Sequence, residues 1–237
     1  NQLARHLRMM GVKNNEPVGI LADKSTDLIT GLLGILKAGG GYVPVDPESP
    51  EIRVNFMMKD SGCTILLMQE KFLDMPVEGV RKINLNSPDS YHTDNADLTG
   101  TSDSSSLAYV MYTSGTTGLP KGSMILQYSV TRLVRNTNYI EINPDDRILL
   151  TGAIVFDATT FEIWGALLNG AALYLTDKET ILDPKMLGEE LLKNIITILW
   201  LTSPLFTQIA EARTDIFRGL KYFLVGGDVL SVPHINK

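Results

Sequence analysis

Short apolar runs alternate with longer amphipathic segments along most of the chain. The runs have the length and the branched side chains of buried strands, and the segments between them repeat apolar residues at helical spacing. We predict strands in residues 16–22, 42–45, 63–68, 81–85, 107–114, 147–152, 172–175, 196–201 and 221–227, and helices in residues 1–11, 26–40, 47–62, 159–171, 183–194 and 203–213. This alternation predicts an α/β fold with layered, mostly parallel sheets and flanking helices.

A polar stretch interrupts the alternation at residues 87–106. Its sequence, SPDSYHTDNADLTGTSDSSS, offers almost nothing to bury. We therefore expect an exposed connector, though not a domain boundary, between a first α/β part (1–86) and a second part (107–237). The chain opens inside a helical pattern without a cap, and SVPHINK begins a new segment after the last strand. We expect residues 1–237 to be an incomplete part of a larger domain.

Composition and charge narrow the function. The chain of 237 residues carries 21 Lys and Arg against 27 Asp and Glu, a net charge of −6, which argues against a dedicated nucleic-acid binder. No apolar run approaches the roughly twenty residues that a membrane span requires, and no leader pattern opens the chain. Cys63 stands alone in an apolar run and is expected to be buried rather than reactive. We expect a cytoplasmic protein without nucleic-acid or membrane partners.

The stretch YTSGTTGLPKG, residues 112–122, combines glycines, hydroxyls and a lysine directly after a predicted strand. Glycines let backbone N–H groups approach an anion, hydroxyls donate hydrogen bonds and Lys121 adds a positive charge, so the stretch predicts a phosphate site. It is not a P-loop, because Lys121 precedes a glycine and Pro120 opposes an early helix. The alternative is a flexible turn between two strands.

Several segments together resemble one known family. LAYVMYTSGTTGLPKG resembles the phosphate-loop signature of the adenylate-forming superfamily, which contains acyl-CoA synthetases, luciferases and peptide-synthetase adenylation domains. LKAGGGYVPVDPESP and FDATTFEIWGALLNGAAL resemble stretches typical of adenylation domains of non-ribosomal peptide synthetases, and YFLVGGDVLS resembles their strand before the adenine pocket. The resemblance covers nearly the whole chain and implies part of the large N-terminal domain of such an enzyme.

The resemblance implies a two-step reaction. An amino-acid carboxylate attacks the α-phosphate of MgATP and releases pyrophosphate, and the aminoacyl-AMP then acylates a phosphopantetheine thiol. It thus implies ATP and Mg²⁺ as cofactors, and a carrier protein and neighbouring synthetase domains as partners. Lys121 would be a supporting cation, because the family's principal catalytic lysine lies elsewhere. No metal ligand is assigned. The residues assigned to the ATP phosphates are Thr113, Ser114, Gly115, Thr116, Thr117, Gly118 and Lys121, and those assigned to the rest of the nucleotide are Gly226 and Gly227.

Asp157 has two interpretations. It precedes a predicted helix, where an aspartate is commonly an N-cap, and in the family this position pairs with the substrate α-ammonium. Glu162 and Trp164 are expected to be a solvated residue and a core anchor, without a site role. The residues that resemble the start of the specificity code of valine-activating domains are Asp157, Ala158, Phe161, Trp200, Leu224 and Gly226. Because one methylene is worth only about 1–3 kcal/mol in such a pocket, we expect L-valine or a similar branched amino acid.

The chain departs from the family after the loop. Ser123 and Gln127 occupy places where the family commonly has valine and histidine, and Gln127 cannot ionise. Two other functions stay open: a stand-alone acyl- or aryl-CoA ligase of the same superfamily, against which Asp157 argues, and a non-catalytic nucleotide-binding or interaction module.

The family's magnesium-binding glutamate, ribose-binding aspartate and catalytic lysine all lie after the last segment of this chain. We therefore predict that residues 1–237 alone do not complete adenylation, although the parent protein does. An assay of pyrophosphate release from amino acid and ATP by the isolated polypeptide tests this, and turnover above the no-enzyme rate would contradict it.

Overall fold

The computed structural model describes residues 1–100, 102–114 and 120–235, with Ser114 described by its backbone alone. These residues form two compact units, Asn1–Val130 and Thr131–Lys237, and each unit has its own sheet. Within the described ranges, no helix combines the length and the apolar composition that a bilayer crossing requires.

The strands and helices predicted from the sequence are present, with ends that shift by a few residues. The strands are β1 (Pro17–Leu21), β2 (Gly41–Val45), β3 (Ile65–Met68), β4 (Arg81–Asn84), β5 (Leu107–Ser114), β6 (Pro120–Leu126), β7 (Arg147–Leu150), β8 (Ala172–Leu175), β9 (Ile198–Thr202) and β10 (Tyr222–Gly226). The helices are α1 (Gln2–Met9), α2 (Thr26–Ala38), α3 (Glu51–Ser61), α4 (Gln127–Val134), α5 (Ala158–Leu168), α6 (Lys178–Leu182), α7 (Pro184–Lys193), α8 (Ser203–Ala212) and α9 (Val232–Ile235).

The first unit is built on a sheet with the strand order β4-β3-β1-β2-β5-β6. Its pairs are parallel up to β5, and β5 pairs with β6 antiparallel. Helix α2 begins at Ser25, whose side chain accepts a hydrogen bond from the Leu28 N–H, and ends at Gly39 with a positive φ of 107°. It packs closely on β1, because a Cβ at Gly31 would lie 2.4 Å from Ile20 Cδ1.

The second unit is built on a parallel sheet with the order β10-β9-β7-β8. Helix α5 covers the face that carries Ile148, since a Cβ at Gly165 would lie 3.5 Å from Ile148 Cδ1. Helices α7 and α8 cover the other face, where Leu149, Leu187 and Phe206 share one buried cluster. Helices on both faces of a mostly parallel sheet confirm the predicted α/β class.

The pattern of apolar residues does not predict β6, α4 or α6. Strand β6 lies at a sheet edge with most of its side chains exposed, so it lacks the apolar alternation that marks a half-buried strand. Helix α6 is too short to show a helical period, and its start depends on the side chain of Asp177, which accepts from Thr180 N–H at 2.7 Å.

The described residues of the polar stretch 87–106 are mostly exposed, and they lie within the first unit. Strand β5, which follows the stretch, joins the sheet formed by the strands that precede it. Arg5 and Arg8 of α1 donate to the carbonyl oxygens of Ala96 and Thr99 at 2.9 and 3.0 Å. The connector is therefore held to the first helix by its backbone, and the two compact units divide after Val130.

An ion pair between a buried carboxylate and a partly exposed lysine joins the amino ends of three strands in the second unit. Asp146, just before β7, is 4% exposed, and it accepts hydrogen bonds from Lys221 Nζ at 2.7 Å, Asn143 N–H at 2.8 Å and Thr197 Oγ1 at 2.9 Å. Burial by itself raises the pKa of the Asp146 carboxyl. The hydrogen bonds from these three groups and the charge of Lys221 outweigh burial, so the pKa is lowered.

We predict that Lys221→Met destabilises the second unit and makes it more sensitive to acid. Because the pKa of Asp146 is lower in the folded state, its carboxylate stabilises the fold above its usual pKa of about 3.9, and this stabilisation is lost as the pH falls through the lowered pKa. Without Lys221 the pKa rises, so the loss begins at higher pH. We expect about 1–2 kcal/mol less stability near neutral pH, because the carboxylate loses its charged donor but keeps those of Asn143 and Thr197, and Lys221 is 37% exposed to screening by solvent. Hydrogen–deuterium exchange of peptides containing β7 and β10, corrected for intrinsic exchange at each pH, measures both effects.

Lys71→Met is the matched control. Lys71 pairs with Asp23 in the first unit, but the two side chains are 57% and 49% exposed. An exposed pair contributes about 0–1 kcal/mol, so this variant is expected to leave exchange nearly unchanged. Equal exchange in Lys221→Met and the unmodified protein would contradict the proposed role of the pair between Asp146 and Lys221.

Candidate functional site

The antiparallel pair β5–β6 forms the stem of the predicted phosphate loop. Thr113 lies opposite Lys121 in this pair, and both residues are exposed. Directly opposite residues project from the same face, with Cβ atoms about 4.5–5.5 Å apart. The stem therefore presents a hydroxyl donor and a cation side by side at the base of the loop.

Tyr112 anchors this stem to helix α3. It is buried, and its hydroxyl donates to Asp60 Oδ2 at 2.7 Å. Its ring lies over Gly122, where a Cβ would be 3.0 Å from Tyr112 Cζ. Burial, followed by the hydrogen bond and charge of Asp60, raises the pKa of Tyr112, so the hydroxyl stays protonated and acts as a donor. The strand before the loop is thus anchored to α3 through the side chain of Tyr112.

The tip of the loop lies outside the described residues. It contains Gly115, Thr116, Thr117 and Gly118, and for Ser114 the structure describes only the backbone, in β5. The structure thus brings Thr113 and Lys121 together, while the assignment of all these residues to ATP phosphates stays a prediction.

The sheet of the second unit has a topological switch point between β7 and β9. From β7 the chain continues through α5 to β8 on one side, and from β9 it continues through α8 to β10 on the other. Open α/β sheets bind ligands in the crevice outside the carboxyl ends of the strands at such a point. Here that edge is formed by Thr151 and Gly152 after β7 and by Thr202 at the end of β9.

Helix α5 begins at this edge of the sheet with Asp157. The residue occupies the N-cap position, with φ −63° and ψ −26°, but its side chain makes no capping hydrogen bond to the described helix. Asp157 is exposed and Ala158 is half-buried. Phe161, one turn later, is 5% exposed, and its ring centroid lies 6.5 Å from that of Tyr139. Of the two interpretations of Asp157, the structure does not support the capping role.

Trp200, Leu224 and Gly226 lie on one face of β9 and β10. Leu224 is opposite Trp200 in the parallel register, and Gly226 follows two residues later, where side chains return to the same face. Trp200 and Leu224 are half-buried, whereas Leu199 and Leu201, on the other face, are fully buried. The indole reaches along β10, because a Cβ at Gly226 would lie 3.8 Å from Trp200 Cζ2.

Helix α5 packs on the same face of the sheet. Ile148 of β7, which contacts α5, is opposite Ile198 of β9, and Trp200 lies two residues beyond Ile198. The predicted pocket residues from the helix and from the strands therefore share one face and one edge of the sheet in the second unit.

The turn after β10 is fixed by Ser203. Its side chain is 3% exposed, and its hydroxyl lies 3.1 Å from the carbonyl oxygen of Gly226 and 2.9 Å from that of Asp228. Gly227, between them, has a φ of +88°, which favours glycine. Gly226 and Gly227, predicted to contact the nucleotide, thus form a turn tied to the first turn of α8.

The structure corrects the expectation for Glu162. This side chain is 0% exposed rather than solvated, and its carboxylate accepts from Thr151 N–H at 2.9 Å and from Gly152 N–H at 3.1 Å. Trp164 is buried at 5% exposure, which confirms the core anchor. No motif in the single sequence marks Glu162 as buried, since it differs from a surface residue only by standing among the apolar residues of α5.

Cys63 is 6% exposed, and burial raises the pKa of its thiol to about 11, as expected for an unreactive buried cysteine.

Within the described ranges, no three His, Cys, Asp or Glu side chains come together in a way that suits a metal ion. Among the described residues, none is therefore assigned as a ligand of Mg²⁺.

Comparisons with known proteins agree with this architecture. The family model described as AMP-binding enzyme matches residues 1–237. The chain is 47% identical over 236 residues to gramicidin S synthase 2 of Brevibacillus brevis, a match that covers 100% of this chain and 5% of that synthase. It therefore spans only a small part of the length of that relative.

Solved structures give the same result. The chain is 30% identical, with a TM-score of 0.88, to PA1221, an NRPS protein containing adenylation and PCP domains, over 99% of this chain and 47% of that one. It is 28% identical, with a TM-score of 0.87, to an AMPPNP-bound form of the nonribosomal peptide synthetase FmoA3, over 98% of this chain and 26% of that one. The predicted relationship is confirmed: the chain belongs to the AMP-binding enzyme family, as an adenylation-domain segment of the nonribosomal peptide synthetase type.

Proposed function

We propose that the protein containing this chain activates an amino acid for non-ribosomal peptide synthesis. An oxygen of the amino-acid carboxylate forms a bond to the α-phosphorus of ATP, the bond from that phosphorus to the bridging oxygen breaks, and pyrophosphate leaves with the electron pair. A carrier-protein thiol then takes the aminoacyl group, AMP leaves and the thiol proton passes to solvent. The observation that carries this proposal is Asp157, which lies at the carboxyl edge of the sheet on α5 without a capping bond.

Asp157 favours an amino acid over other carboxylic acids. A carboxylate that does not cap its own helix is suited to a charge-assisted hydrogen bond with the substrate α-ammonium. A fatty or aryl acid would leave this carboxylate without a cationic partner, which argues against a stand-alone acyl- or aryl-CoA ligase.

The loop stem would hold the leaving phosphates. Thr113 and Lys121 are exposed on one face of β5–β6, so an anion beside the stem meets a hydroxyl donor and an ammonium group together. Charge that develops on pyrophosphate is stabilised by donors that are already aligned, and the anchoring of Tyr112 to Asp60 keeps the stem in place. The loop residues from Ser114 to Gly118 would add further donors.

The β9–β10 wall suits a small branched side chain. Trp200 and Leu224 are half-buried apolar residues that face the same way, and Gly226 leaves the space beside the indole open. With Phe161 from the helix, this wall would enclose L-valine or a similar aliphatic amino acid. It would discriminate only weakly against an amino acid whose side chain has one more methylene.

The proposal also includes contacts with the adenine, with Mg²⁺ and with a carrier protein. The Gly226–Gly227 turn would lie against the adenine, with the carbonyl groups of Gly226 and Asp228 oriented by Ser203. Mg²⁺, when bound with ATP, supplies charge neutralisation at the phosphates, and this chain has no ligand assigned to it. The partners would be a phosphopantetheine-bearing carrier protein and neighbouring synthetase domains, in the cytoplasm.

The proposed substrate is tested by pyrophosphate exchange. We expect the full-length protein to exchange labelled pyrophosphate into ATP when valine is present. With isoleucine, exchange should be about ten- to two-hundred-fold less efficient than with valine, because an extra methylene changes binding only modestly. The assay compares all proteinogenic amino acids at equal concentration. A clear preference for an aromatic or charged amino acid would exclude the aliphatic pocket, and exchange with fatty or aryl acids instead would exclude amino-acid activation.

The role of Asp157 is tested by Asp157→Ala. We expect kcat/KM for the amino acid to fall by about ten- to a hundred-fold, as for the loss of a hydrogen bond between charged groups, with little change in the stability of α5. Exchange kinetics measure the first effect, and hydrogen–deuterium exchange of a peptide covering residues 157–168 measures the second.

Asp177→Ala is the control for capping. Asp177 also occupies an N-cap position in this unit, but its side chain does accept the Thr180 N–H. We expect this variant to loosen α6 without reducing amino-acid activation. If Asp157→Ala instead loosens α5 and leaves kcat/KM intact, Asp157 is a cap and the proposed ammonium contact is wrong.

A further inference from the structure

The carboxylate of Glu162 is buried beside the crevice rather than in the hydrophobic core of the sheet. It is 0% exposed and lies over the corner where the chain leaves β7. Oε1 accepts from Thr151 N–H at 2.9 Å, and Oε2 accepts from Gly152 N–H at 3.1 Å. A buried carboxylate is costly unless such donors satisfy it, so this corner is held in one arrangement.

The same carboxylate is linked to β9 through one hydroxyl. Thr151 Oγ1 lies 2.8 Å from Glu162 Oε1 and 2.7 Å from the carbonyl oxygen of Trp200. The single hydroxyl proton of Thr151 therefore lies between an acceptor on α5 and an acceptor on β9. Glu162 thus ties together the end of β7, the body of α5 and the backbone of Trp200.

The backbone of this corner is closely packed against the carboxylate. A Cβ at Gly152 would lie 3.0 Å from Glu162 Oε2 and 2.7 Å from Thr159 Cγ2, so the backbone approaches the carboxylate only because residue 152 is glycine. Glu162 is also one residue from Phe161 and five from Asp157 on α5. A shift of this corner would move the residues that face the substrate.

We propose that Glu162 is a positioning residue for the amino-acid pocket. It sets the distance between the helix that carries Asp157, Ala158 and Phe161 and the strand that carries Trp200. It does not touch the substrate and acts through Thr151 and Gly152. This inference rests on the proposed function, because the effect on binding requires that these residues contact an amino acid.

Glu162→Gln is the sharpest test, because glutamine has nearly the same shape. One carboxylate oxygen becomes an NH₂ group, which then faces a backbone N–H donor of Thr151 or Gly152. In the full-length protein, we expect KM for the amino acid to rise about tenfold or more while KM for MgATP changes less than about twofold. The ratio of kcat/KM for valine to kcat/KM for isoleucine should also fall.

Asp146→Asn is the matched control. Asp146 is another buried carboxylate with several donors, and it lies at the opposite, amino end of the same strand β7. A general loss of stability would lower the active fraction in both variants and leave both KM values unchanged. If Glu162→Gln behaves in the same way as Asp146→Asn, the positioning role is wrong and Glu162 is only structural.

Thr151 gives a second pair of variants for the case in which Glu162→Gln does not fold. Thr151→Val removes the hydroxyl and keeps the shape, whereas Thr151→Ser keeps the hydroxyl. We expect Thr151→Val to raise KM for the amino acid and Thr151→Ser to restore it to within about twofold. Equal KM values in the two variants would overturn the link from Glu162 to Trp200.

A substrate-free measurement separates this inference from the proposed function. Hydrogen–deuterium exchange of peptides covering residues 151–157 and 198–203 should accelerate in Glu162→Gln and in Thr151→Val, but not in Thr151→Ser. Unchanged exchange in all three variants overturns the link, whatever the activity. Accelerated exchange in a protein whose unmodified form activates no amino acid supports the link and overturns the proposed function instead.

Discussion

Parallel strands place their carboxyl ends at one edge of a sheet, and this constraint brings together the residues of the proposed pocket in the second unit. Because the chain runs outward from β7 in one direction and from β9 in the other, a crevice opens between these two strands at that edge. Asp157 begins the helix that leaves β7, and Trp200 lies near the end of β9. Residues that are far apart in the sequence thus meet at one edge of the sheet.

Two buried carboxylates hold the two ends of β7. Asp146 joins the amino ends of β7, β9 and β10 through Thr197 and Lys221, and Glu162 joins the carboxyl end of β7 to α5 and β9. Each is satisfied by several donors, as a buried charge requires. The first cluster is remote from the crevice and stabilises the sheet, whereas the second determines the geometry of the crevice itself.

The first unit uses an antiparallel return to build the stem of the predicted phosphate loop. Strand β6 is the exception in an otherwise parallel sheet, and it places Lys121 directly opposite Thr113. Gly122 is required there because the ring of Tyr112 occupies the space of its side chain, and the Tyr112 hydroxyl joins the stem to α3. A loop rich in glycine is thus attached to a rigid stem, which reduces the rearrangement needed when an anion binds.

The sequence by itself determined the fold class, the strands and helices with strong apolar periods, and the family, because those depend on local patterns and on motifs such as YTSGTTGLPKG and FDATTFEIW. It could not determine β6, whose exposed edge position leaves no apolar alternation, or whether Asp157 caps its helix, since binding and capping use the same residue type. Only the tertiary structure decided that Glu162 is buried. A glutamate on a helix looks the same in a sequence whether it faces water or two backbone N–H groups, and those N–H groups come from a strand end that only folding brings to it.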